Sequence, residues 1–152
     1  MVKDQTNGFS LIELVLVIVL VSILAVYAIP KLNIDIFRQS GFVQQAAASI
    51  RFAQKQAIAS GCPIAVAITA GGCNLNWYNP SADSSCPVNN TPIANPGSGG
   101  NNFCSNSTPA STAGLPASFT FDKIGRPSAA QTINLGNKTI QVEAETGYTH
   151  EL

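Results

Sequence analysis

Charge is scarce in this chain. Lys, Arg, Asp and Glu make up 11% of its residues, and eight cations against eight anions leave no net charge. Attraction to polyphosphate needs an excess of positive charge, so nucleic acid is disfavoured as a partner. Histidine occurs once, as His150 close to the last residue, and no nucleophile-elbow motif is present. An enzyme using Ser, Asp and His150 would rest on a poorly oriented base, so no catalytic residue and no cofactor is expected. Paired short cysteine spacings are missing too: Cys62, Cys73, Cys86 and Cys104 stand 11, 13 and 18 positions apart. A zinc site wants closer pairs and more ligands, so no metal is expected.

Apolar side chains are not scarce, at 45% of the 152 residues, and they are unevenly placed. Between Leu14 and Ile29 only Ser22 is polar. The run from Phe9 to Pro30 is 22 residues long, and at 1.5 Å per residue a helix of about 20 residues crosses the ~30 Å hydrocarbon core. A single segment in lipid satisfies its backbone only as a helix, whatever the β-branched content. Met1 to Gly8, with Lys3, Asp4, Gln5, Thr6 and Asn7, precede this run as a short polar head. Lys3 favours that end on the cytoplasmic side, with everything after Pro30 outside.

Glu13 breaks the apolar pattern. An ionised carboxylate there costs several kcal/mol unless it reaches the interface or finds a cation. Lys31 is the nearest downstream cation, 18 residues on, or about 27 Å along a helix. A pairing partner would have to come from another chain.

The residues Gly8-Phe9-Ser10-Leu11-Ile12-Glu13-Leu14 resemble the cleavage and methylation signature of type IV prepilins and the related pseudopilins. The resemblance implies that a prepilin peptidase cuts after Gly8 and N-methylates the new terminal Phe9. It also implies that Glu13 is the fifth-position glutamate that takes part in assembly. A neighbouring subunit's Phe9 amine then supplies the missing cation. Pilins commonly carry a proline near Pro30. A secretory signal cut after Val26-Tyr27-Ala28 ranks below this reading, because its apolar core would be too long, would contain Glu13, and would follow a head in which Asp4 offsets Lys3.

Beyond Pro30, where a kink or membrane exit is expected, Val43, Ala46, Ala47, Ile50, Ala53, Ala57 and Ile58 recur at spacings of three and four. Gln44, Gln45, Arg51, Gln54 and Lys55 fill the other face, and Gly61-Cys62-Pro63 ends the pattern. This predicts one helix from about Ser10 to Ser60, its second half amphipathic and packed on a sheet. Ile64, Val66 and Ile68 then alternate in a strand, Ala70-Gly71-Gly72 turns, and Leu75, Trp77 and Tyr78 return. From Asn79 to Ser118 the composition shifts to Pro, Asn, Ser, Thr and Gly, with no periodic core face, and a long loop is expected. Phe119–Phe121, Thr132–Leu135 and Thr139–Glu143 read as an antiparallel meander. The expected fold is α+β: a leader at 1–8, a membrane or filament-core helix at 9–30, an amphipathic helix at 31–61, and a β domain at 62–152 holding loop 79–118.

Exported domains meet an oxidising compartment, which makes disulfides the expectation. A turn at Gly71-Gly72 would hold Cys62 and Cys73 nearly a strand apart, beyond the ~7 Å Cα limit for a bridge. Each is therefore expected to bond to Cys86 or Cys104, tying the loop to the sheet.

The segments Phe121-Asp122-Lys123-Ile124-Gly125-Arg126-Pro127, Ile140-Gln141-Val142 and Glu145-Thr146-Gly147-Tyr148 are similar to H-type pseudopilins and the minor pilins grouped with them. Ser40-Gly41-Phe42, Ala48 to Ala59 and Gly61-Cys62 resemble the C-type minor pilins of mannose-sensitive haemagglutinin pili. These resemblances imply a minor pilin or pseudopilin that assembles into, or primes, a type IV pilus-type filament, with its carboxy-terminal domain at or near the tip. The alternatives are an H-type pseudopilin of a type II secretion system and, more distantly, a tip adhesin or DNA-binding minor pilin. Trp77 and the Asn-rich loop would form such an adhesive surface, or Lys123, Arg126 and Lys138 a basic edge. The implied partners are prepilin peptidase, other pilin or pseudopilin subunits, an inner-membrane assembly platform, and lipid before assembly. The implied location is the inner membrane, single-pass with a periplasmic domain, and then the filament.

Overall fold

A computed structural model of the protein describes residues 9–28, 34–104 and 115–152. Helix α1 spans Leu11–Ala28 and helix α2 spans Ile34–Ser60. Residues 29–33 lie outside the described residues, and with them the expected kink at Pro30 and the continuity of one helix to Ser60. Helix α1 and the chain from Asp35 onward form separate compact units. Among the described residues no helix is long and apolar enough to cross a membrane. The 18 residues of α1 rise about 27 Å, just short of the ~30 Å hydrocarbon core, and the apolar run from Phe9 to Pro30 continues past them.

The second unit is built on α2. Phe42, Val43, Ala46, Ala47, Ile50, Ala53 and Ala57 are buried along one stripe, as a helical repeat of three and four requires. Ile58, expected in this stripe, is instead 54% exposed. It falls one position past Ala57, where the stripe has rotated off the core. The helix ends with Gly61 in the left-handed region at φ 67°, its N–H donating to the Ala57 carbonyl over 3.0 Å. That is the usual backbone of a glycine helix stop.

Strands β1 (Ile64–Thr69) and β2 (Gly72–Trp77) form the expected hairpin. The expected three-stranded meander is not formed. Strand β3 (Ala117–Phe121) pairs antiparallel with β1, giving a sheet ordered β2-β1-β3. Strands β4 (Gln131–Leu135), β5 (Lys138–Val142) and β6 (Thr149–Glu151) make a second antiparallel sheet in that order. The break has a local cause. Asp122 caps its own turn, its carboxylate accepting from the N–H groups of Ile124 and Arg126 over 3.0 and 2.8 Å. The chain after β3 folds back as an irregular arm, with Ser128 N–H donating to the Thr120 carbonyl, and this leaves no tight turn into β4. Ile64, Val66, Ile68, Phe119 and Phe121 from the first sheet and Ile133, Leu135, Ile140 and Val142 from the second share one core with the α2 stripe.

The polar side chains of α2 also act. Gln39 Nε2 donates to the Leu135 carbonyl over 2.7 Å, and Arg51 Nη2 to the Thr149 carbonyl over 3.1 Å. Gln54 Nε2 bridges the carbonyls of Gly125 and Thr146, at 3.0 and 2.8 Å. Those two carbonyls lie in the turns before β4 and before β6, which pack so closely that a Cβ on Gly147 would strike the Gly125 carbonyl oxygen and the Gln54 side chain. Gly147 is also at φ 67°, so both space and backbone conformation call for glycine. The two segments singled out in the sequence, Asp122 to Pro127 and Glu145 to Tyr148, are thus joined through Gln54.

Gln54→Ala leaves two turn carbonyls without their donor and is expected to cost about 1–3 kcal/mol. Lys55→Ala, on the solvent side, should stay within about 0.5 kcal/mol of wild type. Thermal unfolding of the two variants side by side checks this.

Candidate functional site

The site begins where α1 begins. Phe9 and Ser10 lie outside the helix, Phe9 is 82% exposed, and α1 starts at Leu11. The Ser10 carbonyl accepts from the N–H groups of both Glu13 and Leu14, at 3.0 and 3.2 Å. Glu13 therefore sits in the first turn, where the helix dipole favours a negative charge by about 0.3–1 kcal/mol. Sequence reasoning gave Glu13 either the nearby interface or a partner in another chain and missed this intrachain term. The Ser-x-x-Glu spacing from Ser10 to Glu13 was the available signal. Gly8 lies outside the described residues.

Every described side chain from Leu11 to Val26 is exposed. The helix is apolar all round, a pattern that belongs inside a core or a membrane. Its one central polar group, Ser22, spends its hydroxyl on the Ile18 carbonyl over 2.7 Å.

The outer surface carries the second group of expected residues. Cys62 bonds to Cys86 and Cys73 to Cys104, with Cα separations of 5.7 and 5.1 Å. The hairpin register places Cys73 opposite Ile68, well away from Cys62. The chain after β2, expected as a long loop with no periodic core face, folds over residues 79–104 into two lobes. In the first, buried Asn79 gathers the backbone. Its Nδ2 donates to the carbonyls of Asp83, Cys86 and Pro87, and its Oδ1 accepts from Asp83 N–H. In the second, Asn102 Oδ1 accepts from the N–H groups of Cys73 and Cys104, and its Nδ2 donates to the Gly71 carbonyl. This lobe lies along the free edge of β2, where Ile93 N–H donates to Leu75 and Phe103 N–H to Cys73. Phe103 packs on Phe52 of α2 with ring centroids 5.3 Å apart. Asn79 and Asn102, in the loop offered above as an adhesive surface, thus hold its backbone together.

The basic edge does not form. Lys123 and Arg126 are in the turn that Gln54 reaches, whereas Lys138 opens β5 next to the turn that Gln39 reaches. Fifteen residues of helix separate those glutamines, about 22 Å. Trp77 is half-buried, with part of its side chain packed against the core. His150, expected as an exposed terminal residue, lies in β6 opposite Gln141 and stacks on Tyr148 at 5.4 Å.

A cleft of about 490 Å³ between the first lobe and the β3–β4 turn is lined by Tyr78, Asn79, Asp83, Asp122 and Lys123 among others. Both its carboxylates serve their own turns. Hydrogen bonds from the Ser85 N–H and hydroxyl, with a smaller contribution from nearby Lys123, hold the Asp83 carboxyl below the usual carboxylate range, against a slight opposing effect of burial.

Comparison with known proteins bears on both parts. Residues 4–29 match the prokaryotic N-terminal methylation motif, a span that includes Gly8, Phe9 and Glu13. Residues 43–148, more than half of the chain, match the family described as type II transport protein GspH. No curated protein and no solved structure matches the chain significantly.

A depressed folded-state pKa adds stability above the unfolded value, and that contribution is lost as pH falls through the folded value. The stability difference between wild type and Asp83→Asn should therefore be full at neutral pH and narrow below about pH 4. Thermal unfolding of both proteins across pH 2–7, followed through Trp77 beside the loop, measures it.

Proposed function

The chain belongs to the GspH family of type II transport proteins and carries the prokaryotic N-terminal methylation motif; on that basis we propose that it is a minor pilin or pseudopilin subunit whose work is assembly rather than turnover. In this reading a prepilin peptidase removes residues 1–8 and methylates the Phe9 amine. The chain then sits in the inner membrane as a single-pass protein with the domain from α2 onward in the periplasm. Lipid covers α1 until other pilin or pseudopilin subunits, brought together by the assembly platform, take its place. No step calls for a catalytic residue, a cofactor or a metal of this chain.

The observation that carries the reading is the apolar α1, exposed at every described side chain from Leu11 to Val26, which follows Phe9 and has Glu13 in its first turn. Each large aliphatic side chain removed from water contributes about 1.5–3 kcal/mol, so a helix of this kind is stable only where something else covers it. Cleavage creates a cation at Phe9 that is costly alone in an apolar medium, as is the Glu13 carboxylate. Neighbouring subunits that bring the two together remove both costs. The oxidising compartment that the two disulfides require agrees with export of the domain.

The GspH match favours one second reading, an H-type pseudopilin of a type II secretion system. Display at or near the tip of a type IV pilus-type filament rests on the likeness of residues 40–62 to the C-type minor pilins. The DNA-binding alternative loses support from the dispersed cations.

Mass spectrometry of the mature protein is expected to find a chain beginning at N-methyl-Phe9. Glu13→Ala should lower incorporation into filaments by at least about tenfold, with Glu13→Asp intermediate. Retention of the first eight residues, or normal incorporation of Glu13→Ala, would overturn the assembly mechanism.

A further inference from the structure

We propose that Cys86 is a thiol–disulfide exchange site: the Cys62–Cys86 bridge is a latch on residues 80–88 that a dithiol can open, while the Cys73–Cys104 bridge is closed to the same attack. The inference goes beyond assembly through α1 and does not depend on it. The two bridges differ first in access. Cys73 and Cys104 are 0% and 6% exposed and Cys62 is 3% exposed, whereas Cys86 is only half-buried. Cys86 also lines two adjoining hollows of about 470 and 490 Å³, one within the first lobe and the other the cleft toward the β3–β4 turn. Exchange requires a thiolate to approach a sulfur, and these openings lead to Cys86 rather than to its three buried counterparts.

The bridges differ also in what else holds the segment they tie. Every hydrogen bond of residues 80–88 ends within residues 79–91, on Asn79, on Thr91 or on the segment itself. The Ser85 carbonyl lies 3.8 Å from Cys62 Sγ, but a disulfide sulfur has no proton to give it. No residue from 80 to 88 joins the core, and all but Cys86 are exposed. Lys123 attracts Asp83 across the cleft, and between exposed charges such attraction is weak. Among the described residues the bridge is therefore the one firm tie between this segment and the body of the domain. The second lobe keeps several ties besides its bridge. Ile93 and Phe103 donate to β2, Asn102 bonds to Cys73 and Gly71, and Phe103 packs on Phe52.

In the exchange, one thiolate of the dithiol attacks Cys86 Sγ and forms a mixed disulfide as the Cys62–Cys86 bond breaks. Cys62 leaves as a thiolate and takes a proton from water. The second thiolate of the dithiol then attacks the mixed disulfide and releases Cys86, so the cysteine pair is reduced and the dithiol ends as a disulfide. Residues 80–88 are then joined to the domain by their chain ends alone, free to leave the cleft they wall.

The test uses the full chain in detergent micelles, treated with limiting dithiothreitol, quenched with acid, alkylated and mapped by mass spectrometry. Cys62–Cys86 is expected to open at least about tenfold faster than Cys73–Cys104. A thioredoxin lacking its resolving cysteine should be trapped on Cys86. Equal rates, earlier opening of Cys73–Cys104, or trapping on any other cysteine would overturn the exchange site. The latch is read separately, by amide hydrogen exchange of the full chain carrying both Cys62→Ser and Cys86→Ser, which removes the bridge without a reductant. Exchange over residues 82–86 is expected to accelerate while β1, β2 and the second lobe keep their wild-type protection. Unchanged exchange over residues 82–86, or acceleration that spreads into the core strands, would overturn the latch.

Discussion

An apolar helix that its own chain leaves uncovered is the constraint from which the rest follows. Helix α1 exposes Leu, Val and Ile on every side, and burial of such surface is the dominant favourable term in folding and association. A helix with such a surface is stabilised by whatever removes it from water. Its polar exceptions are handled differently. Ser22 closes its hydrogen bond within the helix, whereas Glu13 sits where the first turn stabilises a negative charge without cancelling it. A carboxylate favoured by its own first turn suits the proposed assembly, in which α1 exchanges lipid for neighbouring subunits.

Helix α2 solves the opposite problem, holding a small domain to itself. Its alanine-rich stripe takes both sheets into one core, but small side chains bury little area, and a small domain has little core to spare. The remaining faces of α2 contribute hydrogen bonds at Gln39, Arg51 and Gln54, each to a carbonyl at a strand end or turn. These sites are spread along the helix, so the second sheet is fixed at several points rather than by its core face alone. Gly125 and Gly147 are drawn together at the Gln54 bridge, which gives a physical reason for glycine in both of the segments that resemble the pseudopilins.

The helical stripe, the β1–β2 hairpin and the methylation motif were legible because each is a local pattern. Apolar spacing, Gly71-Gly72 and the Gly8-to-Leu14 run are read within a few residues. Partner choice among strands was not. Phe119 to Phe121 fits either neighbour by alternation, and only the arm capped by Asp122 turns the chain away from β4. Ile58 was misplaced because the period of three and four does not say where a stripe leaves the core. Lys138 was grouped with Lys123 and Arg126 because nearness along the sequence was taken for nearness in space, and two turns at separate heights on α2 undo that.

The middle segment shows why low periodicity is not the same as low structure. Regular elements satisfy the backbone by repetition, and repetition is what sequence reading detects. Residues 79–104 satisfy it with asparagine side chains instead, Asn79 in one lobe and Asn102 in the other. Such one-off bonds leave no period to find. They would not suffice alone, since a neutral hydrogen bond adds only about 1 kcal/mol net against a backbone ordering cost of about 1–2 kcal/mol per residue. The disulfides change the balance. Bridges that close sequence separations of 24 and 31 residues each remove about 3–4 kcal/mol of unfolded-chain entropy in the loop-closure account. Each lobe thus pairs one asparagine hub with one covalent tie, and the second lobe also lies along the β2 edge and packs Phe103 on Phe52. An ordered surface built this way depends on oxidation, so the periplasm proposed for this domain is also a compartment in which it can complete its fold.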